Sequence, residues 1–116
     1  MRQLNGADRY QLYIESASHH QHTLKVLRFD PADLRQPLSL RRLRSWAAEM
    51  LPRCAPLRWR IASLPSGRPV WFDGADLDLR YHVNREVLPE PGGRLEFGQL
   101  LARLKETKLD RSRRVV

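Results

Sequence analysis

Apolar residues recur at helical spacing in two stretches of the chain, residues 40–51 and 95–108. The first follows Ser39, whose hydroxyl can accept a hydrogen bond from a backbone N–H of the first helical turn. It ends before Pro52, because the residue before a proline resists helical backbone angles. One helical face of the second stretch carries four apolar side chains: Phe97, Leu100, Leu101 and Leu104. We therefore predict helices at 40–51 and 95–108, and a shorter helix at 6–15.

Alternation of apolar and polar residues predicts the strands. Residues 77–84 alternate throughout, with two leucines, a tyrosine and a valine on one face and four polar residues on the other. Residues 22–30 and 56–65 follow the same period less strictly. A short strand at 69–72 opens on Pro69, a residue that suits a sheet edge or the first position of a strand. These elements predict an α/β protein of the two-layer α+β sandwich type, in which three or four strands form one layer and two main helices form the other.

Composition bounds the size and class of the protein. The 116 residues are enough for one domain, 41% of them are apolar, 29% are charged, and the mean hydropathy is -0.58. No apolar run reaches the roughly 18 residues that a membrane-spanning helix needs, and the first residues lack the apolar segment of a secretory signal. Cys54 is the only cysteine, so an internal disulfide framework is excluded. We expect a cytoplasmic protein.

The chain carries a net charge of +8 and has an isoelectric point near 10.7, mostly through arginine. Such a charge suits nucleic acid, anionic lipid or phosphorylated small molecules, but many arginines stand beside acidic residues, and the densest cluster, at 40–44, lies within a predicted helix. The three tryptophans occupy apolar positions of the pattern and are predicted to be buried: Trp46, Trp59 and Trp71. A solvated basic surface is the simpler interpretation, and we do not expect a nucleic-acid partner.

The residues that usually carry catalysis form no recognisable site. His19, His20 and His22 are close in sequence, but neighbours on an extended chain point to opposite sides, so we predict no metal site. Cys54 has no histidine near it in sequence to activate it as a nucleophile. The aspartates between residues 73 and 78 cluster around a strand start, where turn hydrogen bonds are the simpler interpretation. We therefore assign no catalytic, metal-binding or cofactor-binding residue.

Three segments, residues 4–16, 67–93 and 101–113, resemble in order and spacing the bacterial wax ester synthase/diacylglycerol acyltransferase family. They read LNGADRYQLYIES, GRPVWFDGADLDLRYHVNREVLPEPGG and LARLKETKLDRSR. The positions that match the family are interpreted as structural: Pro69, Trp71, Asp76, Asp78, His82 and Val83 in the second segment, and Leu109, Asp110, Arg111, Ser112 and Arg113 in the third.

The resemblance implies both an activity and a fold. Members of the family transfer the acyl group of acyl-CoA to diacylglycerol or a long-chain alcohol. They are similar in fold to chloramphenicol acetyltransferase, with the active site between two similar α/β halves. Their His-His-x-x-x-Asp-Gly motif follows the Leu-Asp-Arg-Ser-Arg run, and its second histidine acts as general base. The one His-His pair of this chain continues to Leu24 and Lys25 where the motif needs Asp and Gly.

Residues 1–116 are therefore interpreted as an N-terminal fragment, the incomplete first half of a CoA-dependent acyltransferase fold, which is inactive alone and binds no cofactor. The resemblance implies acyl-CoA and diacylglycerol or a fatty alcohol as substrates of the complete enzyme, at the inner face of the membrane or on lipid bodies. A sheet with exposed edges also predicts oligomers. The alternative is a stand-alone basic module that binds a lipid surface or a complementary protein fragment.

Overall fold

The computed structural model describes residues 1–74 and 77–110. Strands and helices follow one another along this part of the chain, with short 3₁₀ turns between them: β1 (Arg2–Gln3), α1 (Gly6–Ile14), a turn at Pro31–Asp33, α2 (Leu40–Met50), turns at Leu51–Arg53 and Ala55–Arg58, β2 (Trp59–Ser63), β3 (Pro69–Asp73), α3 (Leu79–His82) and α4 (Arg94–Glu106). The mixture of helices and a small antiparallel sheet confirms the predicted α/β class. None of the described helices has the length and apolar content needed to cross a bilayer.

β3 lies at the centre of the sheet, with β1 and β2 antiparallel on its two sides. The turn of the β2–β3 hairpin is closed by a hydrogen bond from the Leu64 N–H to the Arg68 carbonyl oxygen (2.9 Å). Gly67 takes a φ of +77° in this turn, a conformation that glycine adopts without strain. Pro69, which has no N–H to give to a ladder, opens β3, one of the two positions predicted for it.

Helix α2 begins where the sequence predicts because Ser39 caps it. The Ser39 Oγ accepts a hydrogen bond from the backbone N–H of Arg42 (3.2 Å). The Arg44 guanidinium donates to the carbonyl oxygen of Val83, from Nε at 3.0 Å and from Nη2 at 2.9 Å. Val83 is the C-cap residue of α3, where a helix leaves carbonyl oxygens without internal partners. Arg44 therefore ties α2 to α3.

The helices predicted at 6–15 and 95–108 are also present, and a nearby side chain caps the first turn of each. Helix α1 starts at Asn5, whose side chain accepts a hydrogen bond from the backbone N–H three residues later (2.8 Å). Helix α4 starts where the Glu96 carboxylate accepts from the Gly93 N–H (2.7 Å). Such caps satisfy backbone groups that would otherwise be free at the helix ends.

The strand predicted at 77–84 is wrong, because α3 occupies the middle of this segment. Asp78 explains the difference: its Oδ1 accepts a hydrogen bond from the Arg80 N–H (3.0 Å) and starts a helical turn. Arg44 then binds the carbonyl oxygen at the end of that turn. Local hydrogen bonds, rather than pairing in a sheet, satisfy the backbone here.

The strand predicted at 22–30 is also wrong, because none of the described strands includes these residues. β3 has only two edges, and β1 and β2 occupy them, so no place remains beside it. β1 was not predicted, since two residues carry no readable period.

Few side chains are buried. Among the described residues only Leu4 and Val70 are, each with 3% of its surface exposed. The prediction of a buried Trp46 is wrong, because it is 57% exposed on α2, whereas Trp59 and Trp71 are half-buried. The radius of gyration is 16.9 Å, above the value of about 13 Å typical of a compact domain of this length. The sheet and helices therefore form an open arrangement with a small core.

We expect Leu4→Ala to lower the free energy of unfolding by about 2–5 kcal/mol, because it removes most of one of the two buried apolar side chains. Urea unfolding followed by circular dichroism measures this. The matched control is Leu95→Ala on the exposed side of α4, which we expect to change stability by less than about 0.5 kcal/mol. Equal losses of unfolding free energy in the two variants would show that Leu4 is not part of the core.

Ser39→Ala should lower the free energy of unfolding by about 1 kcal/mol, because it removes the hydroxyl that accepts a hydrogen bond at the start of α2. The control within the same helix is Ser45→Ala, where the serine is exposed and alanine is the better helix former. The same unfolding experiment compares them. A Ser39→Ala variant as stable as Ser45→Ala would show that the cap does not hold the helix.

Candidate functional site

An open cleft of about 540 Å³ lies between α1, the sheet and the end of α4. Its lining is largely apolar, and residues 21–24 complete it on the side that follows α1. Clefts of this size and character are where proteins most often hold a ligand or a partner's side chains. The cleft is therefore the candidate functional site.

Three apolar side chains form the sheet side of the cleft: Leu4, Ile61 and Trp71. Ile61 pairs directly with Trp71 across β2 and β3, so both side chains leave the same face of the sheet. On the other edge of β3, Arg2 is the partner of Trp71. Leu4 follows two residues later and belongs to the same face by alternation. Strand register thus gathers apolar residues from three separate parts of the chain.

A hydrogen bond across the cleft holds Trp71 in place. Its indole Nε1 donates to the Asp8 Oδ2 of α1 at 3.3 Å. A half-buried indole N–H needs an acceptor, and a carboxylate is a strong one. This bond therefore joins α1 to the central strand of the sheet.

Glu15 supplies a second carboxylate at the C-terminal end of α1, and its side chain is only 9% exposed. The Lys108 Nζ lies 3.6 Å from its Oε1, and the backbone N–H of Gln21 donates to its Oε2 at 3.3 Å. A carboxylate this far out of water needs such partners, because an unpaired buried charge is costly. Glu15 therefore fastens α1 both to the segment after it and to the chain that follows α4.

Sequence reasoning missed Asp8 and Glu15 as site residues. The available signal is their spacing: acids seven residues apart on one helix lie on the same face, with Leu12 between them. All three line the cleft. Spacing alone does not reveal that Trp71 and Lys108 are the partners, because both are remote in sequence.

The histidines singled out in the sequence are only partly near the cleft. His20 and His22 stack, with ring centroids 5.8 Å apart and an interplanar angle of 28°, and His22 lines the cleft. His82 is not part of the lining and meets Tyr81 edge-on at 5.0 Å. Across residues 1–74 and 77–110, no three side chains of the metal-binding types come together.

The positions that carry the family resemblance are only partly gathered in one place. Trp71 and Leu109 both line the cleft, and Asp110 directly follows Leu109. Pro69 and Asp78 shape the backbone instead, as the first residue of β3 and as the cap of α3. His82 ends α3 and Val83 is its C-cap residue. The other matched positions lie outside the described residues: Asp76, Arg111, Ser112 and Arg113.

A charged contact outside the cleft holds the hairpin to the turn before it. Arg58 donates to Asp73 twice, from Nε to Oδ1 at 3.2 Å and from Nη2 to Oδ2 at 2.9 Å. Its Nη1 also donates to the carbonyl oxygen of Leu51 (2.9 Å). The hydrogen bond to Asp73 raises the pKa of Arg58, because it favours the charged form. Both side chains keep contact with water, so the pair orients the hairpin more than it stabilises it.

Comparison with known proteins gives this geometry a family context. The family model described as the wax ester synthase/diacylglycerol acyltransferase catalytic domain matches residues 4–114. A Mycobacterium tuberculosis (strain H37Rv) protein whose name assigns it as a diacylglycerol O-acyltransferase, Rv3087, is 36% identical over 115 residues, which are 97% of this chain and 24% of that protein. A second protein named in the same way, Rv0221, is 32% identical over 113 residues, 96% of this chain and 24% of its own. A third, tgs3, is 39% identical over 85 residues, 69% of this chain and 31% of its own.

The chain spans about a quarter of the length of Rv3087 and of Rv0221. No solved structure matches it.

Replacing the indole tests the contact that joins α1 to the sheet. Trp71→Phe keeps an aromatic ring in the cleft but removes the donor to Asp8, and we expect a loss of about 1 kcal/mol in unfolding free energy. Trp46→Phe is the matched control, because Trp46 is largely exposed on α2. Urea unfolding curves of the two variants and the unaltered chain give the comparison. Equal stability of the two variants would mean that the hydrogen bond does not hold α1.

Proposed function

This chain belongs to the wax ester synthase/diacylglycerol acyltransferase family, and from that premise we propose that it supplies the N-terminal scaffold of an enzyme that transfers an acyl group from acyl-CoA to diacylglycerol or a long-chain alcohol. The observation that carries the proposal is the family match over residues 4–114, nearly the whole chain. The relatives named as diacylglycerol O-acyltransferases support the same class of acceptor.

Ester synthesis of this kind needs a proton acceptor. The oxygen of the acceptor hydroxyl attacks the thioester carbonyl carbon, the C–S bond breaks, and the hydroxyl proton passes through a general base to the leaving thiolate of CoA. A well-placed base contributes about 10²- to 10⁴-fold in rate. In the family this base is the second histidine of His-His-x-x-x-Asp-Gly, and the 116 residues contain no such motif. We therefore propose that this polypeptide by itself holds no catalytic group.

The cleft supports a scaffold role for these residues. Trp71 and Leu109, two positions shared with the family, both line it. Asp8 holds α1 to the sheet, and Glu15 holds it to Lys108, the residue just before Leu109. These contacts hold the chain that follows α4 at the edge of the cleft. They position backbone, which is consistent with a scaffold role.

For the complete enzyme we propose the two-half fold of the CoA-dependent acyltransferases, of which these residues form an incomplete first half. We place it in the cytoplasm, with contact to the inner face of the membrane or to lipid bodies. The net charge of +8 supports such a contact, because anionic lipid attracts basic protein surfaces.

A second candidate function is a binding or assembly module, and one observation favours it. Within the part of the chain that the structure describes, the outer edge of β2 carries no strand. An unpaired edge of this kind can accept a strand from a partner, which includes a second copy of the chain. This function does not require the chain to be equivalent to an acyltransferase segment, so ester formation by a chimera with Rv3087, and not by the isolated chain, separates it from the first.

Purified chain incubated with labelled acyl-CoA and either diacylglycerol or hexadecanol should give no ester above a heat-denatured control, because the general base is missing. A chimera in which residues 4–114 replace the matching quarter of Rv3087 should form ester, with Rv3087 itself as the positive control. Changing the second motif histidine of the chimera to alanine should lower its rate by about 10²- to 10⁴-fold.

Two outcomes would contradict the proposal. Turnover by the isolated chain would show that a proton acceptor lies within these residues. A folded chimera without activity, beside an active Rv3087, would show that this chain is not equivalent to the acyltransferase segment that it replaces.

A further inference from the structure

Residues 23–29, the strand segment, have the sequence of a strand but pair with none of the described strands. The sequence TLKVLRF contains β-branched and aromatic residues that favour strands. In the structure it runs from the cleft toward the turn at Pro31–Asp33 without helix, turn or ladder. None of the three described strands pairs with it, and β1, with two residues, offers too short an edge.

One face of the strand segment already contacts the protein. Leu24 lines the cleft. The guanidinium carbon of Arg28 lies 5.9 Å from the centre of the Phe97 ring of α4, within the range of a cation–π contact. Residues four apart on an extended chain share a face, so Leu24 and Arg28 hold that face against the cleft and α4.

The opposite face of the strand segment is exposed and carries Leu27 and Phe29 beside Lys25. Leu27 is 89% exposed and Phe29 is 56% exposed, and their spacing of two places them on one face. Val26, on the contacting face, adds a third apolar residue. Apolar residues on both faces are typical of strands inside a sheet that is covered on both sides.

We propose that the strand segment is a docking strand that pairs through its backbone with a β-strand from the remainder of an acyltransferase domain, with Leu27 and Phe29 packed under the added layer. This inference rests on the proposed function, since it identifies where the scaffold receives the rest of the domain. About three quarters of the length of Rv3087 lies outside the region that matches this chain, and this is the source that we propose for the partner strand and its covering layer.

A second copy of this chain is the rival occupant, and charge opposes it. Lys25 and Arg28 are the only charged residues between positions 23 and 29. Two strand segments side by side bring two lysines to one face and two arginines to the other, with no acid between positions 23 and 29. Like charges opposite each other on adjacent strands destabilise their pairing. A partner strand with neutral or acidic residues is the better match.

Amide hydrogen exchange tests the proposal, followed by mass spectrometry on peptides that cover the strand segment. The two samples are the isolated chain and the Rv3087 chimera. We expect the amides of the strand segment to exchange at least about a hundredfold more slowly in the chimera, because amides of a paired and covered strand exchange only when that structure opens. If the chimera does not fold, the chain mixed with the remaining three quarters of Rv3087 as a separate polypeptide gives the same comparison.

Leu27→Gln and Leu95→Gln form a matched pair of variants, because both leucines are exposed but only Leu27 lies in the strand segment. In the chimera, Leu27→Gln should speed exchange of the strand segment at least about tenfold, because it places a polar group under the added layer, whereas Leu95→Gln should leave it unchanged. In the isolated chain, where both side chains are exposed, neither variant should change exchange or stability.

Equal exchange in the chain and the assembled protein would overturn the proposal. Protection that appears in the isolated chain and grows with its concentration would also overturn it, by identifying a second copy as the occupant. The readout does not depend on activity, so the two proposals fail separately. An inactive chimera with a protected strand segment contradicts only the proposed function, and an active chimera with an unprotected one contradicts only the docking strand.

Discussion

The central strand β3 is the constraint on which the rest of the structure depends. Both of its edges are paired, and its two faces carry the buried Val70 on one side and Trp71 on the other. The indole of Trp71 reaches Asp8 and so places α1, and Glu15 at the far end of α1 reaches Lys108 beyond α4. One chain of contacts therefore runs from this strand to both helices that border the cleft. Disturbing β3 would disturb each of them.

Features set by local hydrogen bonds could be predicted from the sequence. The helices at 6–15, 40–51 and 95–108 carry their own caps, so each forms near its predicted position. The strand at 69–72 could also be predicted, because a strand tolerates proline at its first residue and the valine, tryptophan and phenylalanine that follow favour strands. The α/β class follows from these elements together.

Features set by distant partners could not be predicted in this way. Alternation at 77–84 is typical of a strand, but it does not supply a neighbouring strand, and the carbonyl oxygen of Val83 at the end of α3 is bound instead by the distant Arg44. The strand predicted at 22–30 lacks a neighbour for the same reason. The roles of Asp8 and Glu15 could not be predicted, because their partners Trp71 and Lys108 lie far along the chain. Three segments of the sequence identified the family, yet only Trp71 and Leu109 among the individual matched positions within the described residues line the cleft.

The central proposal is that this chain buries too little apolar surface to form a closed domain by itself and supplies part of a larger acyltransferase. Scanning calorimetry of the isolated chain tests it most directly, because unfolding enthalpy grows with the structure that is lost. A fully packed protein of this length would absorb about 80 kcal/mol near 60 °C, at about 0.7 kcal/mol per residue. We expect less than about half of that, in a broad transition, because only two of the described side chains are buried. A sharp transition with the full enthalpy would contradict the account.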